Sequence, residues 1–232
     1  MILGDVCTRN CSFCAVKKGN PLPPDEREIE GIVSAVKHLK ISHAVITSVT
    51  RDDLPDGGAS QFVKVIEALR RNFAQLTIEA LIPDFAGNSQ ALAAVIKAKP
   101  DVLNHNIETV KRLYPIVRSK AQYQLSLDII KHSHQAGLIT KSGLMLGMGE
   151  SFEEVLETMR ELRDCGCDIL TLGQYLAPSK KHLTVSRYLE PSEYDSLREK
   201  GLKMGFQAVF AGPLVRSSYL AEQIFSSKIK KG

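Results

Sequence analysis

Strand-like and helix-like patterns alternate along the whole chain, and this alternation restricts the fold more than any other feature. Short apolar segments have the length of strands, and the segments between them carry apolar residues at helical spacing. Helices between successive strands need crossover connections, which produce a parallel sheet of right-handed βα units. The sequence therefore predicts an α/β fold, a full or partial parallel β/α barrel. The predicted strands span residues 2–6, 43–48, 76–82, 101–104, 139–146, 169–175 and 207–211.

Capping residues locate three helix starts. Asp25 with Glu28, and Ser151 with Glu154, have the three-residue spacing of a capping box. Asn88 precedes a third helical segment, and asparagine is a preferred N-cap residue. Each of these residues comes shortly before apolar positions at helical spacing, so we expect a helix to begin at each one.

The length of the chain suits one domain. With 232 residues and 44% hydrophobic content, the chain can bury one sizeable core, and single-domain α/β barrels commonly have this length. No linker, internal repeat or low-complexity segment interrupts it. We therefore expect one barrel domain over residues 1–232.

Charge and composition argue against several classes of function. The net charge of +4 is modest and the basic residues are dispersed, which argues against a nucleic-acid surface but suits an acidic protein partner. No segment approaches the roughly 20 apolar residues that span a bilayer, and no signal segment opens the chain. Five cysteines, three of them clustered, indicate a reducing compartment. We expect a cytoplasmic protein, or a mitochondrial or plastid one if a targeting segment precedes residue 1.

Three cysteines with the spacing CxxxCxxC follow the first predicted strand: Cys7, Cys11 and Cys14. Thiolates are soft ligands suited to zinc or to iron–sulfur clusters. Three thiolates leave one metal position without a protein ligand, and chemistry can occur there. The alternative is a structural zinc site with a distant fourth ligand, although structural zinc sites favour paired CxxC units.

Six motifs in a fixed order carry a resemblance to a known family. The cysteine motif, with Phe13 before its last cysteine, resembles the signature of radical S-adenosylmethionine (SAM) enzymes. Together the six motifs resemble lipoyl synthase and span nearly the whole chain, which implies a β/α barrel of the radical SAM type. The motifs are MILGDVCTRNCSFC (1–14), TSVTRDDLPDGGA (47–59), LNHNIETV (103–110), GLMLGMGE (143–150), LTLGQYLAPS (170–179) and VRSSY (215–219).

The resemblance implies an enzyme that inserts two sulfurs, at C6 and C8 of an octanoyl chain attached to a lysine. That lysine belongs to a lipoyl carrier domain, either the E2 subunit of a 2-oxoacid dehydrogenase or the glycine cleavage H protein. The implied cofactors are SAM and a [4Fe–4S] cluster held by Cys7, Cys11 and Cys14. Ferredoxin or flavodoxin is the implied reductant. Neither nucleic acid nor a membrane is an expected partner.

The loops that follow predicted strands share one face of such a barrel, and ligand sites form there. Given the resemblance, polar residues near predicted strand ends and the glycines of the turn after the strand at 139–146 become candidates for binding SAM. Three further residues become candidates for the substrate side of the site. Without the resemblance, the charged residues would be interpreted as solvated loop residues and the glycines as part of an ordinary tight turn. The SAM candidates are Asn106, Glu108, Arg118, Lys141, Gly147 and Gly149; the substrate-side candidates are Arg51, Asp52 and Arg216.

Ser218, the second serine of the RSSY motif, is implied as a ligand of an auxiliary [4Fe–4S] cluster that supplies the inserted sulfur. In the family the other ligands of that cluster are three cysteines upstream of the barrel, CxxxxCxxxxxC, which this sequence does not contain. We therefore expect this form to cleave SAM without completing thiolation. Cys165 and Cys167, at the end of a predicted helix, are expected to be packed structural thiols.

Two other functions remain open at this point. A second radical SAM sulfur-inserting enzyme, similar to biotin synthase, would share the cysteine loop, but TSVTRDDLPDGGA and RSSY argue against it. An inactive remnant or a zinc-stabilised binding module would contain zinc without labile sulfide. Metal analysis and a choice of substrate separate these alternatives.

Overall fold

The computed structural model describes residues 1–218, which form two compact units. The first unit consists of residues 1–9 and 16–104, and the second of residues 10–15 and 105–218. Strands and helices alternate in both units, as the sequence predicts. The single domain over the whole chain stays a prediction.

The first unit contains a parallel sheet of three strands in chain order. β3 pairs with β4, where His43 is opposite Thr77, and β4 pairs with β5, where Glu79 is opposite Val102. A separate two-residue pairing joins β1 to β2. The elements are β1 (Val6–Cys7), β2 (Lys17–Lys18), α1 (Arg27–Leu39), β3 (His43–Thr47), α2 (Ala59–Asn72), β4 (Thr77–Leu81), a 3-10 turn (Phe85–Gly87), α3 (Ser89–Lys97) and β5 (Val102–Asn104).

The second unit contains a parallel sheet of β6, β7 and β8, also in chain order. Every residue of β7 is buried, as expected for a parallel strand that is covered on both faces. The elements are a 3-10 turn (Lys111–Leu113), α4 (Tyr114–Val117), α5 (Tyr123–Gln135), β6 (Ile139–Leu146), α6 (Phe152–Asp164), β7 (Ile169–Gln174), α7 (Pro191–Lys203) and β8 (Ala208–Gly212).

Each unit has apolar residues from its helices packed beneath its strands. In the first unit, Phe62 and Ile66 of α2 and Ile78 of β4 are completely buried. In the second, Met159 and Leu162 of α6 belong to one buried cluster with the β6 and β7 side chains. The helical spacing of these apolar positions therefore places one face of each helix in the core.

The predicted first strand over residues 2–6 is wrong. Ile2 forms an isolated bridge to Ser48, but Leu3 and Gly4 have positive φ angles of 68° and 85°, which interrupt the extended backbone. Only Val6–Cys7 forms a strand in this region. The backbone turns here because the Leu3 amide donates to both carboxylate oxygens of Glu28, at 2.9 and 3.1 Å.

The capping box predicted for Asp25 and Glu28 is also wrong, for the same reason. The N-cap residue of α1 is Glu26, without a side-chain cap, and the Glu28 carboxylate is used by Leu3. The Asn88 cap is confirmed, since its side chain accepts from the amides of Gln90 and Ala91.

The capping box of Ser151 and Glu154 at the start of α6 is confirmed in both directions. We predict that Ser151→Ala lowers the free energy of unfolding by about 1 kcal/mol, because the Glu154 amide loses its acceptor. In a chain of this size that loss lowers the melting temperature by about 2–4 °C. Calorimetry checks this, with Ser192→Ala in α7 as the matched control. Equal melting temperatures for the two variants would contradict the prediction.

In the part of the chain that the structure describes, no helix has both the length and the apolar character needed to cross a membrane.

Candidate active site

Cys7 is the last residue of β1, Cys11 and Cys14 lie on the loop that follows it, and all three are half-buried. Cys7 belongs to the first unit, where its carbonyl accepts from the Gly19 amide at 3.2 Å. Cys11 and Cys14 belong to the second unit and form a turn, in which the Cys14 amide donates to the Cys11 carbonyl at 3.1 Å. None of the three is in a disulfide. Among residues 1–218, however, no group of three or more His, Cys, Asp or Glu side chains is arranged to hold a metal ion.

Contacts within the second unit hold the turn that carries Cys11 and Cys14. The Ser12 amide donates to the Val117 carbonyl at 3.0 Å, and the Leu183 amide donates to the Ser12 carbonyl at 2.9 Å. The Cys14 carbonyl lies 3.2 Å from Nε2 of His182. The turn is therefore fixed by the last residue of α4 and by the loop that follows β7.

A cavity of about 180 Å³ in the second unit is the structure's best candidate for a ligand site. Its wall combines the segment after β5, the carboxyl-terminal parts of β6 and β7, and the segment after β8. Parallel β/α folds build their ligand sites from this end of the strands. Phe13 of the cysteine loop contributes to the same wall. The other lining residues are Asn106, Glu108, Gly143, Leu144, Met145, Thr171, Gly173, Val215, Arg216 and Ser217.

Three polar side chains meet in this wall. Nδ2 of Asn106 donates to Oγ of Ser217 at 2.7 Å and to Oε1 of Glu108 at 3.3 Å. Desolvation raises the pKa of Glu108, although the Arg118 charge and the Asn106 hydrogen bond partly oppose the shift. Glu108 also has a φ of 69°, a backbone conformation that costs a non-glycine residue of order 1–3 kcal/mol and is concentrated at functional sites.

Arg118 lies behind this wall and does not line the cavity. Its Nη1 donates to the carbonyl of Asn106 at 3.0 Å and to the hydroxyl of Tyr114, also at 3.0 Å. Its guanidinium stacks over the Tyr114 ring, 5.4 Å from the ring centre. In this arrangement Arg118 supports the backbone that carries Asn106 and supplies positive charge to Glu108.

The glycine-rich turn after β6 is held by its own carboxylate. Glu150 accepts from the amide of Gly147 at 2.6 Å and from the amide of Met148 at 2.9 Å. A Cβ on Gly147 would lie 2.3 Å from the carbonyl oxygen of Arg187, so glycine is required there by close packing. Neither Gly147 nor Gly149 lines the cavity.

Lys141 lies in the first half of β6 and is not among the residues that line the cavity. It is only 1% exposed and is in register with Ile169, the first residue of β7. Its carbonyl accepts from the amide of His105 at 3.0 Å. The His105 ring is buried against Ser126, so this histidine is used within the core.

The predicted substrate-side residues are divided between the units. Arg51 and Asp52 lie in the first unit, where Arg51 is buried and paired with Asp53 and Asp52 is paired with Arg9. In the second unit Arg216 lines the cavity, and its Nη1 donates to the Val215 carbonyl at 2.7 Å. Ser218, the last described residue, is exposed next to the cavity residue Ser217.

Two strand glycines, neither of which the sequence interpretation named as a site residue, allow close packing at the cavity: Gly173 against the segment after β8, and Gly143 against the Thr171 side chain. A Cβ on Gly173 would lie 2.2 Å from the Val215 carbonyl oxygen, and one on Gly143 would lie 2.5 Å from Oγ1 of Thr171. An isolated glycine within a strand often marks such a close approach, so both positions carried a readable signal. Ser217 carried no such signal, and Phe13 was recognised only as the aromatic residue of the cysteine motif.

We predict that Gly173→Ala destabilises the protein by about 1–3 kcal/mol, because backbone must move to accommodate the new methyl group. Gly212, its neighbour in register on β8, is the matched control, since a Cβ there meets only the Val215 side chain at 3.5 Å. Urea unfolding of both variants measures the difference. Equal stability of the two variants would show that the Val215 segment is not fixed against Gly173.

The remaining two cysteines are packing residues at the end of α6. Cys167 is completely buried, its thiol donates to the carbonyl of Ile169 at 3.3 Å, and burial raises its pKa. Desolvation also raises the pKa of Cys165, which is half-buried. Both thiols are therefore disfavoured as thiolates.

Comparison with known proteins identifies the family. Residues 1–162 match the model of the radical SAM superfamily. The lipoyl synthase of Caldanaerobacter subterraneus subsp. tengcongensis is 53% identical over 96% of this chain and 78% of its own length. The chain belongs to the lipoyl synthase family. The lipoyl synthase of Desulfotalea psychrophila is 54% identical over 97% of this chain and 76% of its own length.

A solved structure supports the fold independently. Crystalline methylornithine synthase superposes on 88% of this chain and 61% of its own, with a TM-score of 0.69 at 16% identity. Together with the parallel strand pairing within each unit, this likeness confirms the predicted α/β class, and the family model over residues 1–162 confirms the radical SAM type.

Lipoyl synthases are radical SAM sulfurtransferases, and this member has their activity, the insertion of sulfur into a protein-bound octanoyl chain. Membership of the superfamily carries with it a [4Fe–4S] cluster and SAM. The donor chemistry of the cysteine loop fits such a cluster, since it offers three partly exposed thiols within eight residues.

Proposed function

We propose that Cys7, Cys11 and Cys14 hold the [4Fe–4S] cluster and that SAM binds in the adjoining cavity of the second unit. The observation that carries this proposal is the position of Phe13: it lies between Cys11 and Cys14 in sequence, and it lines the same wall as Asn106 and Glu108. Because residues 1–218 contain no preformed metal-binding group, we expect the three thiols to be gathered when iron and sulfide bind.

Glu108 is the residue that we propose to face the cationic part of SAM. Enclosure in the cavity wall raises its pKa, so the ionised carboxylate lacks full compensation there. An ammonium or sulfonium group would supply that compensation at close range. Asn106 holds the carboxylate in place, and its own position is fixed by Ser217.

The substrate explains why an enzyme of this kind needs a radical. An octanoyl C–H bond is neither acidic nor polarised, so no side-chain acid or base can activate it. When bound, the cluster and SAM supply a one-electron cleavage that generates a carbon radical able to abstract hydrogen. The residues of this chain orient the two molecules and exclude water.

Arg216 and Ser218 are proposed for the sulfur-insertion side of the site. Both belong to the segment after β8, and Arg216 reaches the cavity wall. We propose Ser218 as a ligand of an auxiliary [4Fe–4S] cluster, because its exposed side chain is adjacent in sequence to the cavity residue Ser217. The proposed carrier is the octanoylated domain of a 2-oxoacid dehydrogenase or the glycine cleavage H protein, with ferredoxin or flavodoxin as reductant.

An anaerobic assay tests the proposal. The protein is loaded with iron and sulfide and is given SAM, dithionite and an octanoyl-lysine peptide. We expect 5′-deoxyadenosine when the peptide is present, and sulfur at C6 or C8 of the peptide would show that the expected stop before thiolation is wrong. Dethiobiotin replaces the peptide in a parallel reaction. If dethiobiotin were thiolated and the peptide were not, or if no 5′-deoxyadenosine formed, the proposed substrate or site would be wrong.

A further inference from the structure

A partly buried ion-pair cluster lies next to the first cysteine, in the first unit. The guanidinium of Arg9 binds two carboxylates, those of Asp52 and Asp84, and we call these three residues the Arg9 clamp. Arg9 is 6% exposed and Asp84 is 3% exposed. A buried arginine with two carboxylates on a metal-binding loop requires an explanation, because burying charge is costly unless geometry and pairing are good.

The geometry of the Arg9 clamp is that of two forks. Nε and Nη2 of Arg9 each lie 2.8 Å from an oxygen of Asp52, and Nη1 and Nη2 lie 2.7 and 2.6 Å from the oxygens of Asp84. Desolvation opposes the charge on Arg9, but the hydrogen bonds to Asp52 and Asp84 outweigh it and raise the pKa of the guanidinium. Two bidentate contacts fix the plane of a guanidinium, whereas a single contact leaves it free to rotate.

Both carboxylates are themselves fixed on loops that follow parallel strands. Asp84, after β4, also accepts from the Ala86 amide at 3.0 Å and caps the 3-10 turn Phe85–Gly87. Asp52, after β3, has its amide bound to Oγ1 of Thr8 at 3.0 Å. The clamp therefore joins the cysteine loop to two strand ends through side chains that have little freedom.

The clamp reaches the metal ligand through the backbone. The Arg9 amide donates to Sγ of Cys7 at 3.4 Å, and the Thr8 amide donates to the Thr50 carbonyl at 3.1 Å. We propose that Arg9 is a positioning residue for Cys7: Asp52 and Asp84 fix its side chain, and its backbone amide thereby holds the Cys7 sulfur in place. The expected effect of Arg9 on a bound cluster rests on the proposed function, whereas the contacts of the Arg9 clamp do not depend on that function.

Hydrogen bonds to a ligand sulfur influence the properties of an iron–sulfur cluster as well as its position. Loss of the clamp should therefore alter the cluster and not merely lower its occupancy. A residue that only stabilised the fold would leave the spectrum of any assembled cluster unchanged. This difference separates a positioning role from a structural one.

Hydrogen exchange of the metal-free protein tests the clamp directly. Arg9→Lys keeps the charge but removes the fork, and Asp84→Asn removes one carboxylate. In both variants we expect amide exchange in peptides covering residues 6–10 to accelerate about tenfold, the effect of losing one charge-assisted hydrogen bond. Peptides from β6 serve as the internal reference and should be unchanged. Asp25→Asn is the matched control, because it removes an equally bidentate but exposed pair with Arg27.

Spectroscopy of the loaded protein tests the consequence for the cluster. In Arg9→Lys we expect shifted g values for the reduced cluster, and in Asp25→Asn the values of the unchanged protein. Unchanged exchange at residues 6–10, or wild-type g values in Arg9→Lys, would overturn the positioning role. If Asp84→Asn unfolds the protein, Asp52→Asn is the milder variant, because the Asp52 side chain is 30% exposed. Normal amide exchange at residues 6–10 in Asp52→Asn would also overturn the proposal. A wild-type protein that forms no cluster would instead defeat the proposed function.

Discussion

Replacing Cys14 by alanine is expected to abolish 5′-deoxyadenosine formation while the protein stays folded. Loss of groups that merely orient a metal ligand lowers metal affinity or activity about 10–100-fold, so removal of a ligand itself should cost at least about 10³-fold. The fold should survive, because Cys14 is only half-buried and its amide can still donate to the Cys11 carbonyl in the variant. The measurements are iron and labile sulfide per chain, 5′-deoxyadenosine by chromatography, and the melting temperature.

Cys165→Ala is the matched control, since it removes an equally half-buried thiol from the end of α6. That variant should retain iron, sulfide and 5′-deoxyadenosine formation. The assignment of the cysteine loop would be refuted if Cys14→Ala kept its cluster, or if Cys165→Ala lost it. Zinc without labile sulfide in the unmodified protein would favour the zinc-stabilised module instead.

The sequence predicted those parts of the fold that follow from local patterns. Helical spacing placed Phe62 and Met159 in the core, and both are completely buried. The strand at 139–146 has the predicted bounds, because its length is that of a strand and Gly137 and Gly147 flank it. Patterns of this kind need only neighbours in sequence, so one chain is enough to show them.

The failures involve contacts between distant residues. The Glu28 carboxylate, expected to cap its own helix, binds the Leu3 amide 25 residues away and helps to interrupt the predicted first strand. No local pattern records that contact. Likewise Arg9, an unremarked residue of the cysteine motif, is paired with Asp84, 75 residues away.

The candidate site shows the same division. The sequence predicts that Asn106 and Glu108 lie together, because alternate residues at a strand end point to one side, and both line the cavity. It also groups Gly147 with them, but the structure uses that glycine for close approach to the Arg187 carbonyl. Glycine satisfies both needs equally well, so only the three-dimensional arrangement distinguishes ligand binding from packing.

Glu108→Gln is expected to stabilise the protein while weakening its affinity for SAM. Desolvation raises the pKa of Glu108 above its ordinary value of 4.5, so the folded state disfavours the ionised form. Glutamine removes that cost and still offers an oxygen to Nδ2 of Asn106. A gain of about 1 kcal/mol would raise the melting temperature by about 2–4 °C at neutral pH. The loss of a charged partner should weaken SAM binding about 10–100-fold.

The pH dependence of this effect has a fixed sign. Above pH 4.5 the unfolded chain releases the Glu108 proton while the folded protein still retains it, so this residue makes stability fall as pH rises. The stability difference between Glu108→Gln and the unmodified protein should therefore be small near pH 4 and grow above it. Glu157→Gln, an exposed change on α6, should show no such trend. Tight SAM binding by Glu108→Gln would show that the cofactor does not use this carboxylate. A stability gain independent of pH would show that burial does not disfavour its ionised form.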